Sequence, residues 1–216
     1  MRWTNIRPVH ARFRTSGRRA GQRFDAEHHV TTEALIFLGT LDPEAIGPSL
    51  EFATHYEPTP IPEAEALLDT IPEPLASTTF VDVGSGMGRV LLLAARRPFK
   101  MVAGVEISPT LHEVARENVE RFDQDALQCR DIRLTRGDAA EYKFPRGTLA
   151  VYLYNPFRAN ILQAVLERLL AQPREITLIY HTPLEREVIE ASGAFELVCD
   201  LGYGVVFRRV RPKPDR

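Results

Sequence analysis

With 216 residues, 44% of them hydrophobic and 26% charged, the chain has the size and composition of one globular domain with an extension. Its longest apolar stretches, such as Val90 to Ala95, are too short to span a bilayer, which argues against a membrane protein. Only two cysteines occur, Cys129 and Cys199, without CxxC spacing or neighbouring histidines, so the pattern speaks against a disulfide framework or metal site and for free thiols in a reducing cytoplasm.

The formal net charge of -2 hides an asymmetry. Residues 1–24 hold Arg2, Arg7, Arg12, Arg14, Arg18, Arg19 and Arg23 and no acid, leaving 20 basic residues against 29 acidic ones in the remainder. A run so poor in apolar residues reads as a disordered basic tail, and such an arm suits an acidic partner or nucleic acid. It also lacks the apolar segment that follows the basic start of a secretory leader. Residues 25–75 read as an irregular lead-in. Thr31 to Leu41 is apolar enough for a short helix, prolines 58, 60 and 62 interrupt the chain, and Glu63 to Asp69 is helical until Ile71-Pro72.

From residue 76 to 212 the pattern is regular. Thr78 to Val83 is a β-rich apolar run, followed by glycines and the helical stretch Arg89 to Arg97. Met101 to Ile107 is a second strand, and Ser108-Pro109 supplies the N-cap and first turn of a helix reaching about Phe122. Ile132 to Thr135, Leu149 to Tyr154 and Glu175 to Tyr180 give three more strands, with helices over Arg158 to Leu170 and Glu185 to Ala191. Phe195 to Asp200 and Val205 to Val210 face each other across Leu201-Gly202-Tyr203-Gly204 as an antiparallel pair. Apolar strands alternating with helices predict an α/β doubly wound, mostly parallel sheet with helices on both faces and a ligand cleft at the strands' carboxyl ends.

The first strand runs into Asp82-Val83-Gly84-Ser85-Gly86-Met87-Gly88. Glycines at a strand-to-helix turn let backbone approach a ligand closely, since no Cβ intervenes. Dinucleotide enzymes place a pyrophosphate on such a turn, in a G-x-G-x-x-G spacing. Here the spacing is G-x-G-x-G, and the preceding Asp82 would repel a pyrophosphate while suiting a ligand that carries an ammonium group. Glu106, ending the second strand, fits the two hydroxyls of a ribose. Asp138, followed by Ala139 after the third strand, fits the exocyclic amine of an adenine. Three acids ending three successive strands describe a site for adenosine joined to an amino acid.

Residues 78–140 resemble the first half of a class I, seven-stranded, Rossmann-like methyltransferase. That resemblance implies S-adenosyl-L-methionine as cofactor and a final strand inserted antiparallel beside the fifth. It also implies cofactor contacts from Asp82, Gly84, Ser85, Gly86, Gly88, Glu106, Ile107, Asp138 and Ala139. More narrowly, Gly84 to Leu91 with Gly104 to Ser108 resembles bacterial methyltransferases of unassigned substrate, distantly like protein-lysine enzymes acting on nucleosomal histone.

In this superfamily the loop after the fourth strand faces the methyl donor. Here it reads Tyr154-Asn155-Pro156-Phe157-Arg158, similar to an Asn/Asp-Pro-Pro-Tyr/Phe pattern but without its second proline. Asn155 and backbone oxygens of Asn155-Pro156 suit orientation of a nucleophilic nitrogen, and the rings of Tyr154 or Phe157 suit the positive charge that develops on it. Tyr56 and Thr59, in the lead-in, are expected to cover the methionine end and keep water from it. His181 reads as a loop or partly buried histidine, His112 as a helix-face residue, and His28-His29 lacks metal-site companions. The reading is an N-methyltransferase acting on a protein lysine or another amine. The alternatives are an RNA or DNA methyltransferase using the basic arm, or a module that binds the cofactor without catalysis.

Overall fold

The computed structural model describes residues 9–37, 55–154 and 159–210. The dominant feature is a seven-stranded sheet built from β3 (Thr78–Val83), β4 (Met101–Glu106), β5 (Ile132–Arg136), β6 (Thr148–Tyr154), β7 (Ile176–His181), β8 (Phe195–Asp200) and β9 (Gly204–Arg209). Their spatial order is β5-β4-β3-β6-β7-β9-β8, with a separate two-stranded piece from β1 (Ile36–Phe37) and β2 (His55–Tyr56). Pairings among β5, β4, β3, β6 and β7 are parallel, and β9 enters antiparallel between β7 and β8. The chain order reverses between β3 and β6, the position where a doubly wound sheet opens a cleft.

Every residue of β3, β4 and β7 is buried, because helices cover both faces. One face carries Phe80, Val102, Ala150, Tyr152, Ile179 and Val206, packed with α2 (Ile61–Leu68) and α3 (Arg89–Ala95). Asp82, two residues along from Phe80, lies on this same face. The opposite face carries Val81, Val83, Val105, Val151 and Leu178 under α5 (Ala159–Leu170) and α6 (Arg186–Ala191). The helix α4 (Pro109–Arg121) follows β4; Ser108 caps it, accepting from the Leu111 amide at 3.3 Å.

The expectation of a disordered basic tail over residues 1–24 fails for residues 9–24, which belong to helix α1 (Val9–His28). Gly17, Gly21 and Phe24 recur at helical spacing and turn inward, while Arg18, Arg19 and Arg23 remain exposed. Gly17 lets the helix approach Pro60 and Gly21 lets it approach Glu33 and Arg89, and the Phe24 ring lies 5.9 Å from Phe122. So a sparse apolar stripe, fitted to the domain, is enough to order a segment that composition alone rejects. Residues 1–8 lie outside the described ones. The predicted helix from Thr31 is also absent over residues 31–37. That stretch is held instead by the carboxylate of Asp25, which accepts from the amides of Thr32 and Glu33, both at 2.7 Å. No helix among the described residues is long and apolar enough to cross a membrane.

Candidate active site

The glycine loop is shaped by its backbone. Gly84, Gly86 and Gly88 all have positive φ, at 80°, 53° and 85°. The amides of Gly84 and Ser85 both donate to the Val105 carbonyl, at 2.9 and 3.0 Å, which ties the turn to the end of β4. Gly104 permits this: a Cβ there would meet Ser85 Oγ at 2.9 Å.

Glu106 completes the tie. Its Oε2 accepts from the Gly86 amide and its Oε1 from the Ser108 amide, each at 2.8 Å. Burial raises its pKa, against the lowering effect of hydrogen bonds from Ser108, Gly86 and Ile107. The sequence suggested only a ribose acceptor here. The structure adds a second role, since the same carboxylate anchors the loop. Each oxygen keeps a further lone pair for a ligand hydroxyl.

Asp82 is buried between Gly104 of β4 and Tyr152 of β6 in sheet register. Its pKa is pushed up to about 8, chiefly by burial and further by the charge of Glu106. Such a carboxyl is poised to ionise when a cation arrives.

Tyr56 lies over the loop. A Cβ on Gly86 would meet the Tyr56 ring at 2.3 Å, so glycine is what lets the ring seat there. The Tyr56 hydroxyl donates to the Thr32 carbonyl at 2.7 Å, and burial raises its pKa. Thr59 is buried, and its Oγ1 lies 3.1 Å from the Tyr152 hydroxyl, next to Asp82 in the sheet. Ile107 joins Met87, Leu111, Tyr56 and Ile36 in a small apolar cluster beside the loop.

Asp138 stands somewhat apart. It caps the turn Ala139–Glu141, its Oδ1 accepting from the Ala140 amide at 2.8 Å, and Ala139 is buried. It also lines a groove of about 570 Å³ with Val105, Arg133 and Tyr142, on the sheet face opposite Asp82. Asp82, Ser85, the glycines, Glu106, Tyr56 and Thr59 are thus gathered on one face, whereas Asp138, expected beside them, lines the groove on the other, because its short turn carries it past the end of β5. Asn155, Pro156 and Phe157 lie outside the described residues.

Several residues here carried no sequence signal. Arg89 is buried at 2% exposure and bonds Thr32 Oγ1 (2.8 Å), the Thr59 carbonyl (3.2 Å) and Glu33 (2.8 Å). Asn118 donates to the carbonyls of Thr31 and Met87, at 2.8 and 2.9 Å, and accepts from the Thr31 amide. His181 ends β7 in full burial, with Nε2 2.7 Å from Glu63 Oε2 and Nδ1 3.0 Å from Thr182 Oγ1. The Tyr154 ring stands edge-on to it, centroids 4.4 Å apart. Their partners are 30 or more positions away in most cases, beyond any local pattern. Among the described residues no cluster of three His, Cys, Asp or Glu is placed to hold a metal ion.

The family described as a methyltransferase domain matches residues 80–176, the segment from β3 into β7 that contains the glycine loop, Asp82 and Glu106. Over that segment, just under half of the chain, the residues match a methyltransferase domain. Similar solved structures include the glycopeptide N-methyltransferase MtfA, at 12% identity and TM-score 0.52 over 70% of this chain and 90% of that one. The 23S rRNA methyltransferase ErmE has 18% identity and TM-score 0.50 over 71% and 69%. Geranyl diphosphate C-methyltransferase from Streptomyces coelicolor A3(2) has 15% identity and TM-score 0.50 over 71% and 78%. At these identities the methyltransferase fold is what they share with the chain. No curated protein matches it.

Proposed function

We propose that the chain transfers a methyl group to the nitrogen of an amine, a protein lysine being the preferred acceptor. The observation that carries the donor half of this reading is the pairing of Asp82 and Glu106: two buried carboxylates at the carboxyl ends of adjacent strands, beside a glycine loop on which the Tyr56 ring rests. A cationic, amino-acid-bearing nucleoside fits that charge, whereas a diphosphate does not. S-adenosylmethionine, when bound, supplies a methyl group made electrophilic by the positive sulfur. Asp82 is assigned to the ammonium of its amino-acid end, Glu106 to the ribose hydroxyls, and Asp138 to the adenine margin. Tyr56 and Thr59 shield the amino-acid end from water.

On the acceptor side, Tyr154 ends β6 beside His181 of β7, and Glu63 of α2 closes the group from above. The face of the Tyr154 ring and the carboxylate of Glu63 suit an ammonium group and the positive charge that grows on a nitrogen under attack. Asn155, Pro156 and Phe157 follow Tyr154 directly and are assigned to aiming the nitrogen lone pair. A second reading, a nucleic-acid acceptor, draws on the exposed arginines 18, 19 and 23 on the outer side of α1.

Calorimetry with S-adenosylmethionine, S-adenosylhomocysteine and NAD tests the donor site: the first two bind and the third does not. Tritiated methyl transfer into host lysate, split into protein, RNA and small-molecule fractions, tests the acceptor. Label in protein supports the lysine reading, and label confined to RNA replaces it with the second.

A further inference from the structure

We infer that Arg89 is the positioning residue that seats Tyr56 and Thr59 over the glycine loop, making the segment from Asp25 to Glu33 a working part of the cofactor site. The inference rests on the reading of that loop as the donor site. Arg89 is the first residue of α3, immediately after Gly88, and its guanidinium runs to the lead-in rather than to the loop itself. Nε donates to Thr32 Oγ1 at 2.8 Å, one terminal nitrogen donates to the Thr59 carbonyl at 3.2 Å, and the other pairs with Glu33 at 2.8 Å. Asp25 stands 4.0 Å from the same group and itself accepts from the Thr32 hydroxyl at 2.6 Å. Thr32 in turn accepts the Tyr56 hydroxyl on its carbonyl, and the Tyr56 ring rests on Gly86.

The chain of contacts is therefore Arg89 to Thr32 to Tyr56 to Gly86, with a parallel branch from Arg89 to Thr59 to Tyr152 beside Asp82. A planar fork with five donors satisfies these partners together; an ammonium cannot. Burying such a cation is costly unless it is paired, and Glu33 with Asp25 supplies the pairing. Gly21 of α1 is part of the fit, since a Cβ there would meet Glu33 Oε2 at 1.9 Å and the Arg89 guanidinium at 2.7 Å. Helix α1 thus closes over the ion pair and confines it.

The test uses the full chain and the variants Arg89→Lys, Glu33→Gln and Gly21→Ala, so that a fold failure in one leaves two others. Hydrogen exchange is followed at residues 55–60, and binding of S-adenosylhomocysteine and of 5′-methylthioadenosine, which lacks the amino-acid end, is measured by calorimetry. The expected result is exchange at 55–60 faster by about tenfold, with β3, β4 and β6 unchanged. S-adenosylhomocysteine is expected to bind about tenfold more weakly, and 5′-methylthioadenosine to keep its affinity within about twofold. Unchanged exchange at 55–60 in folded variants, or equal loss for both ligands, overturns the inference. If the unaltered protein fails to bind S-adenosylhomocysteine, the donor-site reading falls, while the exchange measurement still decides whether Arg89 holds the segment.

Discussion

At the scale of single residues, Asp82 sets a conflict between stability and binding. Its pKa stands near 8 in the fold against 3.8 in an unfolded chain, with burial as the first cause. The folded state therefore holds a proton that the unfolded state has already released, so stability falls as pH rises from about 4 to about 8 and is level above that. The slope approaches about 1.4 kcal/mol per pH unit in that window. Asp82→Asn is expected to remove this loss: at pH 8 it melts higher than the parent protein, while S-adenosylhomocysteine binding is lost. A melting temperature below the parent's at pH 8 counts against the carboxyl being a buried, strained acid. If Asp82 takes the ammonium as proposed, binding draws the proton off it, and calorimetry at pH 7 in buffers of differing ionisation heat should register proton release. Glu106→Ala acts differently, because it unties Gly86 and Ser108 as well as removing the proposed ribose contact. Affinity should fall by roughly 1–3 kcal/mol, with a loss of thermal stability that Asp82→Asn does not show.

At the scale of elements, the turns around the site are held by side chains that reach across the chain. Asn118, fully buried on α4, uses both of its polar atoms to join Thr31 to Met87. Its replacement by Ala leaves two carbonyls and one amide without their partner, and should cost roughly 1–3 kcal/mol in urea unfolding. A smaller effect would mean that water substitutes for the amide. The capping of α4 by Ser108 and the terminal hairpin of β8 and β9 are local, and both stand in the structure where the residue pattern puts them. The short stretch after Thr31 is the contrary case. Its apolar residues favour a helix, but Asp25 and Arg89 take hold of its backbone and hydroxyl, and β1 pairs with β2 instead. Tertiary hydrogen bonds outweigh a propensity worth only tenths of a kcal/mol per residue.

At the scale of the whole molecule, α1 is where the two functional readings separate. Its inner side is structural, with Phe24 and His28 packed on Phe122 and Gly21 against the Arg89–Glu33 pair. Deleting residues 1–28 should lower stability by about 3 kcal/mol or more, through loss of the buried Phe24 and exposure of Phe122. Such a deletion therefore cannot by itself reveal a nucleic-acid arm. Reversing charge on the outer side, with Arg18→Glu, Arg19→Glu and Arg23→Glu together, should shift stability by only about 0.5 kcal/mol per site. Under the amine reading this triple variant keeps methyl transfer to protein. A loss of salt-sensitive RNA binding together with transfer would move the assignment to nucleic acid.

The sequence by itself determined the doubly wound sheet, because fully buried parallel strands must be continuously apolar and their connecting helices periodic, and both signals are local. It also located the glycine loop, Asp82 and Glu106, since each ends a strand whose neighbours could be counted off. What only the tertiary structure decided is the roof: α1 as an ordered helix, Arg89 as its hub, Asn118 as a brace, and the His181–Glu63 pair. Each depends on groups that meet across 30 to 118 positions of chain. Contacts of that kind come from how helices and lead-in pack on the finished sheet, and no periodicity in the residues encodes them.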